Sequence, residues 1–286
     1  MLNWDKLGFV ICKPDAVYLN LEREILSFLR RRGFQILACK YVTITPNLCR
    51  RLYWDENKEY SEWWWELESE FLNLGESLCV LVQGTPQPPY KSVSELIEKK
   101  WKGNFKPEKA KKGTIRCTFG ATNGIFNLFH SADCTNAVKR EASLFFTAEE
   151  IEQLACENAS FVLKQKEASN LDVIDIYFRI KRQCIRVSSM HMKVKKRYIS
   201  FLDKKQRQAM SVSKSMKQLW LYNTLQEEYR MFYMYIGKDK LLECITNNKN
   251  FKRINYNILF QAFDKAGLKL AKWETCLFKT TMLSFT

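Results

Sequence analysis

Gly113-Thr-Ile-Arg-Cys-Thr-Phe-Gly-Ala-Thr-Asn-Gly-Ile-Phe-Asn-Leu-Phe-His130, followed by Ser131-Ala132-Asp133 and Lys139-Arg140-Glu141, is the densest run of chemically informative residues in this 286-residue chain. It combines a nucleophile candidate with a cation and a carboxylate. A neutral imidazole near pH 7 can attack a phosphoryl group whose charge Arg116 and a metal ion neutralise, while a nearby carboxylate fixes the ring. Spacing alone leaves a second reading open: a histidine beside Leu128 and Phe129 is often a satisfied core residue.

Upstream, Phe9-Val10-Ile11 reads as a short buried strand, and residues 20 to 32 carry Leu21, Ile25, Leu26, Phe28 and Leu29 at helical spacing, with Gly33 as the stop. Phe34 to Thr45 is extended, rich in Ile, Tyr, Val and Thr, and Leu78 to Gln83 is another apolar run of strand length. Strand, helix, strand, helices, strand is the order. Competing chemistries lack their signatures. There is no G-x-x-x-x-G-K-[ST], no G-x-G-x-x-G and no G-x-S-x-G. The ten cysteines are scattered from Cys12 to Cys276 without a C-x-x-C pair, and there are two histidines, which argues against a zinc framework and for cysteine as a small buried hydrophobe.

Three further motifs join the first: Ile11-Cys12-Lys13-Pro14-Asp15-Ala16-Val17, the helix ending in Arg32-Gly33-Phe34, and Asn127-x-x-His130 with Arg140-Glu141 following at ten and eleven residues. In order and separation, residues 8 to about 146 resemble nucleoside diphosphate kinases. The Phe-Gly-Ala-Thr-Asn-Gly-Ile run before the histidine is more similar to the divergent members of cilia and flagella than to the housekeeping enzymes. The resemblance implies a ferredoxin-like α/β sandwich with a four-stranded antiparallel sheet. It also implies ping-pong transfer of a terminal phosphate between nucleotides through phosphohistidine, with Mg2+ bound through the nucleotide phosphates. It places His130 at the nucleophile, Lys13 at the lysine that meets the sugar hydroxyl and phosphate, and Tyr53 at the tyrosine beside the histidine. Arg116 falls at a phosphate-binding arginine, Asn127 at the ribose-binding asparagine, and Glu141 at the glutamate that orients the ring. Members are commonly hexamers, which carries an expectation of a homo-oligomer.

The chain departs from the pattern at several points. With Gly103 and Pro107 in register, Lys99 stands where the family has a second phosphate-binding arginine, keeping charge but not the two-pronged donor geometry. Phe105 replaces a threonine that bonds phosphate, a loss on the order of 1.5 to 3 kcal/mol for a hydrogen bond to a charged group. Ser131-Ala132-Asp133 lacks the hydroxyl that bonds the orienting glutamate, unless Ser131 substitutes for it. One extra residue lies between Arg116 and Asn127. Trp63, Trp64 and Trp65 follow an apparent insertion near the family's base platform; one could stack a base, or the three could cover the sheet or meet a protein neighbour.

Charge divides the chain as well. Of 46 Lys+Arg and 31 Asp+Glu, residues 1 to 150 hold 21 and 19, whereas residues 151 to 286 hold 25 and 12. The basic excess therefore belongs to the second half and points to an acidic partner. Thr147-Ala-Glu-Glu150 has the form of a helix capping box, and the domain boundary is placed there: a kinase-like domain at 1–150 and a basic, mainly helical extension at 151–286. Apolar stripes at Leu154 to Leu163, Val173 to Ile180 and Met216 to Met234 read as helix-packing faces.

Arg179 to Lys217 holds thirteen basic residues and one acid, Asp203. It reads as a solvated helix face, a calmodulin-type target or a strip for an acidic polymer such as a microtubule wall. Ile176, Lys181 and Arg186 have IQ-like spacing, with Tyr177 in place of the glutamine. His191 reads as a surface residue. Residues 257–271 echo residues 24–38, as a vestigial second repeat near 251–286 or simply as a glycine-stopped amphipathic helix. No apolar run is long enough for a membrane span and no sequence-reading DNA module is present, so the expected location is cytoplasmic, with the ciliary or flagellar axoneme implied by the divergent-type resemblance. Two functions stay open: an active or weakly active phosphotransferase, or a kinase-fold structural protein of the axoneme docked on microtubules by its basic tail.

Overall fold

Strand β1, Leu7–Cys12, is buried along its whole length, as expected for a central strand covered on both faces. The computed structural model describes residues 3–53, 62–153, 163–164 and 169–286. Helices α1 (Pro14–Tyr18) and α2 (Glu22–Arg30) follow β1, then strand β2 (Gln35–Val42), helices α3 (Pro46–Leu52) and α4 (Glu62–Leu72), and strand β3 (Ser77–Gln83). Helix α5 (Val93–Leu96) runs directly into a π-helical segment, Ile97–Lys102. Helix α6 (Ile115–Phe119), the short strand β4 (Phe129–Ser131), and helices α7 (Thr135–Ala142) and α8 (Ala148–Gln153) complete this part.

The sheet order is β2-β3-β1-β4 with every pairing antiparallel, the ferredoxin-like α/β sandwich. Val10, Leu26, Leu29, Val80, Val82 and Leu96 lie in one buried cluster between sheet and helices; each such side chain contributes about 1.5 to 3 kcal/mol on burial. Helix α2 turns its apolar stripe Ile25, Leu26, Phe28 and Leu29 inward and ends at Gly33, whose φ of +85° a side chain would strain. The register that matters most pairs Ile11 with His130, seating the histidine on edge strand β4.

The chain folds as two compact units, Met1–Ala121 with Ile125–Asn170, and Thr122–Gly124 with Leu171–Thr286. At the start of α8 the Thr147 N–H donates to Glu150 Oε2 at 2.8 Å and the Glu150 N–H to Thr147 Oγ1 at 3.1 Å, the reciprocal capping box. Residues 154 to 162, most of one apolar stripe, lie outside the described residues.

The second unit is helical: α9 (Val173–Val187), α10 (Met192–Ala209), α11 (Lys217–Ile236), α12 (Lys240–Thr246), α13 (Tyr256–Lys265) and α14 (Lys272–Leu283). Its core contains a fully buried ion pair, Lys181 Nζ to Glu228 Oε1 at 3.0 Å. The Tyr177 and Tyr198 hydroxyls donate to the same carboxylate, and Lys181 also bonds the Thr246 hydroxyl. Ile176 and Lys181 are thus core residues, and the IQ-like spacing records packing, not a displayed recognition face. His191 caps α10, its Nδ1 accepting from the Lys193 N–H. After α13, residues 268–271 form no strand and lead into α14. No helix among the described residues is long and apolar enough to cross a membrane.

Candidate active site

Three pieces of chain converge on His130: the β1–α1 corner, the loop from α6 to β4, and helix α7. At the corner, Pro14 opens α1 with its φ already suited to a helix. Asp15 then points back, its Oδ2 accepting the Leu128 N–H and its Oδ1 the Ala16 N–H, each at 3.0 Å. The Lys13 N–H donates to the Leu128 carbonyl at 2.9 Å. Leu128 is thereby held at φ +70°, a conformation that costs a residue with Cβ about 1 to 2 kcal/mol. The pinched backbone turns Asn127 toward Lys13 and Arg116 and delivers His130 into the sheet. Burial pushes the Asp15 carboxyl up to about 6, against the pull of Lys13 and the two backbone donors.

His130 Nε2 lies 2.7 Å from Glu141 Oε2. Both residues are buried, and Arg140 Nη2 donates to the other Glu141 oxygen at 3.2 Å. A carboxylate only accepts, so Nε2 carries the hydrogen and Nδ1 keeps its lone pair. Among the described residues no side chain bonds Nδ1. The Tyr53 ring stands edge-on to the imidazole, centroids 5.2 Å apart. Burial holds the His130 pKa well below 6.5, with the Lys102, Lys13 and Arg116 charges acting in the same direction and Glu98 against them. The neutral ring is therefore the form present at pH 7. The sign for stability follows: a depressed histidine pKa gives a contribution that is complete above pH 6.5 and lost as the pH falls through the folded-state value.

Lys13 Nζ meets Glu68 Oε1 at 2.6 Å, the Ile125 carbonyl at 3.2 Å and Asn127 Oδ1 at 3.3 Å. Arg116 donates to the Asn127 carbonyl, Asn127 Oδ1, the Gly103 carbonyl and the Phe129 carbonyl at 2.7 to 3.2 Å. Burial lowers its pKa from 12.5, with Glu98 opposing. Gly103 is required where it stands: at φ +92° a Cβ would lie 2.5 Å from Thr114 Oγ1.

His130, Glu141, Lys13, Arg116, Asn127 and Tyr53 thus come together. Lys99 does not. It is exposed, and the cation of the π-helical segment whose charge acts on the His130 ring is Lys102, 2.6 Å from Glu98. Ser131 does not replace the hydroxyl missing at Ala132: its Oγ donates to Glu98 Oε2 at 2.8 Å, and Arg140 takes the orienting role toward Glu141. The Tyr53 hydroxyl donates to Glu68 Oε1 at 3.1 Å, leaving the ring edge as its contact with the imidazole. Phe105 is 41% exposed and packs edge-on to Trp64, with ring centroids 6.5 Å apart. Trp65 packs against Tyr53. The side chain of Trp63, like all of Tyr60 and Ser61, lies outside the described residues. Sequence reasoning missed Glu68, Glu98 and Lys102; the i,i+4 spacing of Glu98 and Lys102 on one helix was the available signal.

The architecture defines a class, the ferredoxin-like α/β sandwiches, here carrying a histidine–carboxylate pair at edge strand β4. Residues 7–151 match the family model described as nucleoside diphosphate kinase. A nucleoside diphosphate kinase of Sulfurisphaera tokodaii is 35% identical over 143 residues, covering 50% of this chain and 90% of the relative. That of Pyrococcus furiosus is 30% identical over 160 residues, covering 55% and 92%. The crystal structure of the Encephalitozoon cuniculi nucleoside diphosphate kinase is 24% identical, with a TM-score of 0.44 over 50% of this chain and 90% of that one. The chain belongs to the nucleoside diphosphate kinase family.

Proposed function

We propose that this protein is a phosphotransferase of nucleoside diphosphate kinase type, moving the terminal phosphate of a nucleoside triphosphate to a nucleoside diphosphate through phosphohistidine at His130. One observation carries the reading: Glu141 accepts from Nε2 and leaves Nδ1 as the nucleophile. In the first half-reaction the Nδ1–phosphorus bond forms as the bond from phosphorus to its bridging oxygen breaks. That oxygen keeps the electron pair and departs on the nucleoside diphosphate. Nε2 keeps its hydrogen, and Glu141 offsets the positive charge the ring acquires. A second nucleoside diphosphate reverses the step, which makes the cycle ping-pong.

Lys13 and Asn127 are assigned to the ribose hydroxyl and phosphate, Arg116 to phosphate, and Tyr53 to the edge of the ring. The Mg2+ ion is assigned to the nucleotide's phosphates, as the family resemblance implies. When bound, it neutralises phosphate charge. The test is to incubate the protein with ATP radiolabelled on the terminal phosphate and magnesium, denature, and assay acid-labile, alkali-stable label. Label is expected on the wild type and absent from His130→Ala.

A second reading, a catalytically weak or inactive structural protein of the ciliary or flagellar axoneme, is favoured by the prior engagement of the cations. The three hydrogens of Lys13 already have three partners, and Arg116 serves four acceptors. Phosphate must exchange with these, so wild-type protein that takes no label supports this reading. We assign the kinase-like domain to residues 1–150 and a docking role to the basic extension at 151–286, whose acidic partner would be a microtubule wall. Co-sedimentation with microtubules is expected at low salt and lost at high salt, since surface charge pairing is screened beyond about 10 Å at 0.1 M ionic strength; pelleting indifferent to salt counts against it.

A further inference from the structure

The helix before Gly103 carries three lysines, Lys99, Lys100 and Lys102, and Lys106 follows beyond the glycine. Their burial separates them. Val93, Ser94, Leu96 and Ile97 face the core, whereas Lys99, Lys100 and Lys106 are exposed. Lys102 differs: its side chain is 13% exposed, its Nζ lies 2.6 Å from Glu98 Oε2, and the same oxygen accepts the Ser131 hydroxyl at 2.8 Å. Ser131 is the residue after His130 in β4. One carboxylate oxygen therefore bridges Lys102 to the strand that carries the histidine.

Lys99 is exposed, whereas Glu98, four residues before Lys102 and on its face of the helix, is half-buried against Ser131. The π-helical winding of Ile97–Lys102 belongs to a class of distortion found often at functional sites. Directly after Lys102, Gly103 gives its carbonyl to Arg116 Nη1 at 3.1 Å. The backbone beside Lys102 is thereby tied to another cation of the site. The Lys102 charge acts on His130 as well, disfavouring the protonated ring.

We infer that Lys102, positioned by Glu98, is the phosphate-binding cation of this helix, and that it receives the terminal phosphate beside His130 in the role that register assigns to Lys99. Glu98 is a positioning residue that holds the ammonium near the ring until the phosphate, an anion of higher charge, arrives. The inference rests on the phosphotransferase reading for the identity of the ligand, but not for the placement of Lys102.

The experiment compares Lys102→Met, Lys102→Arg and Lys99→Met in the full chain. Two readouts are used: the rate of phosphorylation by radiolabelled ATP with magnesium, and the titration of the His130 ring by nitrogen NMR. Loss of a charged hydrogen-bond donor to phosphate corresponds to roughly a tenfold to hundredfold fall in rate for Lys102→Met. Lys102→Arg should retain most of the rate, and Lys99→Met should change it less than about twofold. The midpoint of His130 should move upward in Lys102→Met and stay in place in Lys99→Met. A rate loss carried by Lys99→Met, or a Lys102→Met protein unchanged in both readouts, overturns the inference. If wild-type protein takes no label, the phosphotransferase reading fails by itself. ATP–magnesium affinity measured by calorimetry then decides, with weakening in Lys102→Met alone supporting the inference and equal affinity in all variants overturning it.

Discussion

Glu141→Gln is expected to slow phosphorylation of His130 by roughly a hundredfold to ten-thousandfold, the range for losing a group that sets a catalytic histidine's tautomer. The buried carboxylate accepts from Nε2 at 2.7 Å and is itself held by Arg140. An amide of the same size presents an N–H as readily as an oxygen. If the N–H faces Nε2, the ring hydrogen moves to Nδ1 and the lone pair that attacks phosphorus is gone. Even with the oxygen facing the ring, the negative charge that offsets the phosphorylated imidazole is lost. The effect should fall on the rate of phosphoenzyme formation at saturating ATP, with the ATP concentration for half-maximal rate little changed, because Glu141 touches the ring and not the nucleotide. Rapid-quench labelling together with a thermal melt would separate a chemical defect from unfolding. A variant that melts like wild type and labels at the wild-type rate would show that the ring needs no carboxylate here.

The second large effect lies in the helical unit and concerns stability. Lys181→Met should destabilise it by about 3 to 5 kcal/mol, because Glu228 would be left charged in the core with only tyrosine hydroxyls as partners. Burial already lowers the Lys181 pKa from 10.5, with Glu228 opposing, so the ammonium is held in the core by this carboxylate. Removing both charges should cost far less than the sum of the single changes. Lys181→Met with Glu228→Leu leaves two hydroxyls to find new acceptors, whereas each single change strands an ion. The Tyr198 ring stacks flat on Phe232, 4.0 Å between centroids, so the hydrocarbon frame around the pair is in place to accept apolar substitutes. Urea unfolding of the three variants, read as a double-mutant cycle, measures the coupling. Strictly additive losses would mean that the pair is incidental to how these helices pack.

The central strands, Gly33 and the motif residues around His130 were legible because each depends on local chemistry. Phe9-Val10-Ile11 and Leu78–Gln83 have the apolar runs of buried strands, and Gly33 occupies a backbone conformation that only glycine adopts without strain. Strand β4 was not legible. Three residues, Phe129–Ser131, give no periodicity, and they are extended because β1 supplies their hydrogen bonds. The exposure of Lys99 was hidden for a related reason: counting residues assigns a position along the chain, while the winding of Ile97–Lys102 decides which side chains face inward. Likewise Arg179 to Lys217 reads as one basic strip, yet it contains Lys181, the most deeply buried cation of the helical unit.

By itself the sequence determined the α/β sandwich and the family, and it singled out His130 as the candidate, since these follow from hydrophobic patterning and from residue types at set separations. The tertiary structure alone decided which ring nitrogen Glu141 engages, which lysine Glu98 draws against the protein, and which charges are paired in its interior. Those outcomes depend on distances between groups far apart in the chain. Hydrogen bonds and ion pairs of under about 3.5 Å are settled by packing, on which local sequence has no direct hold.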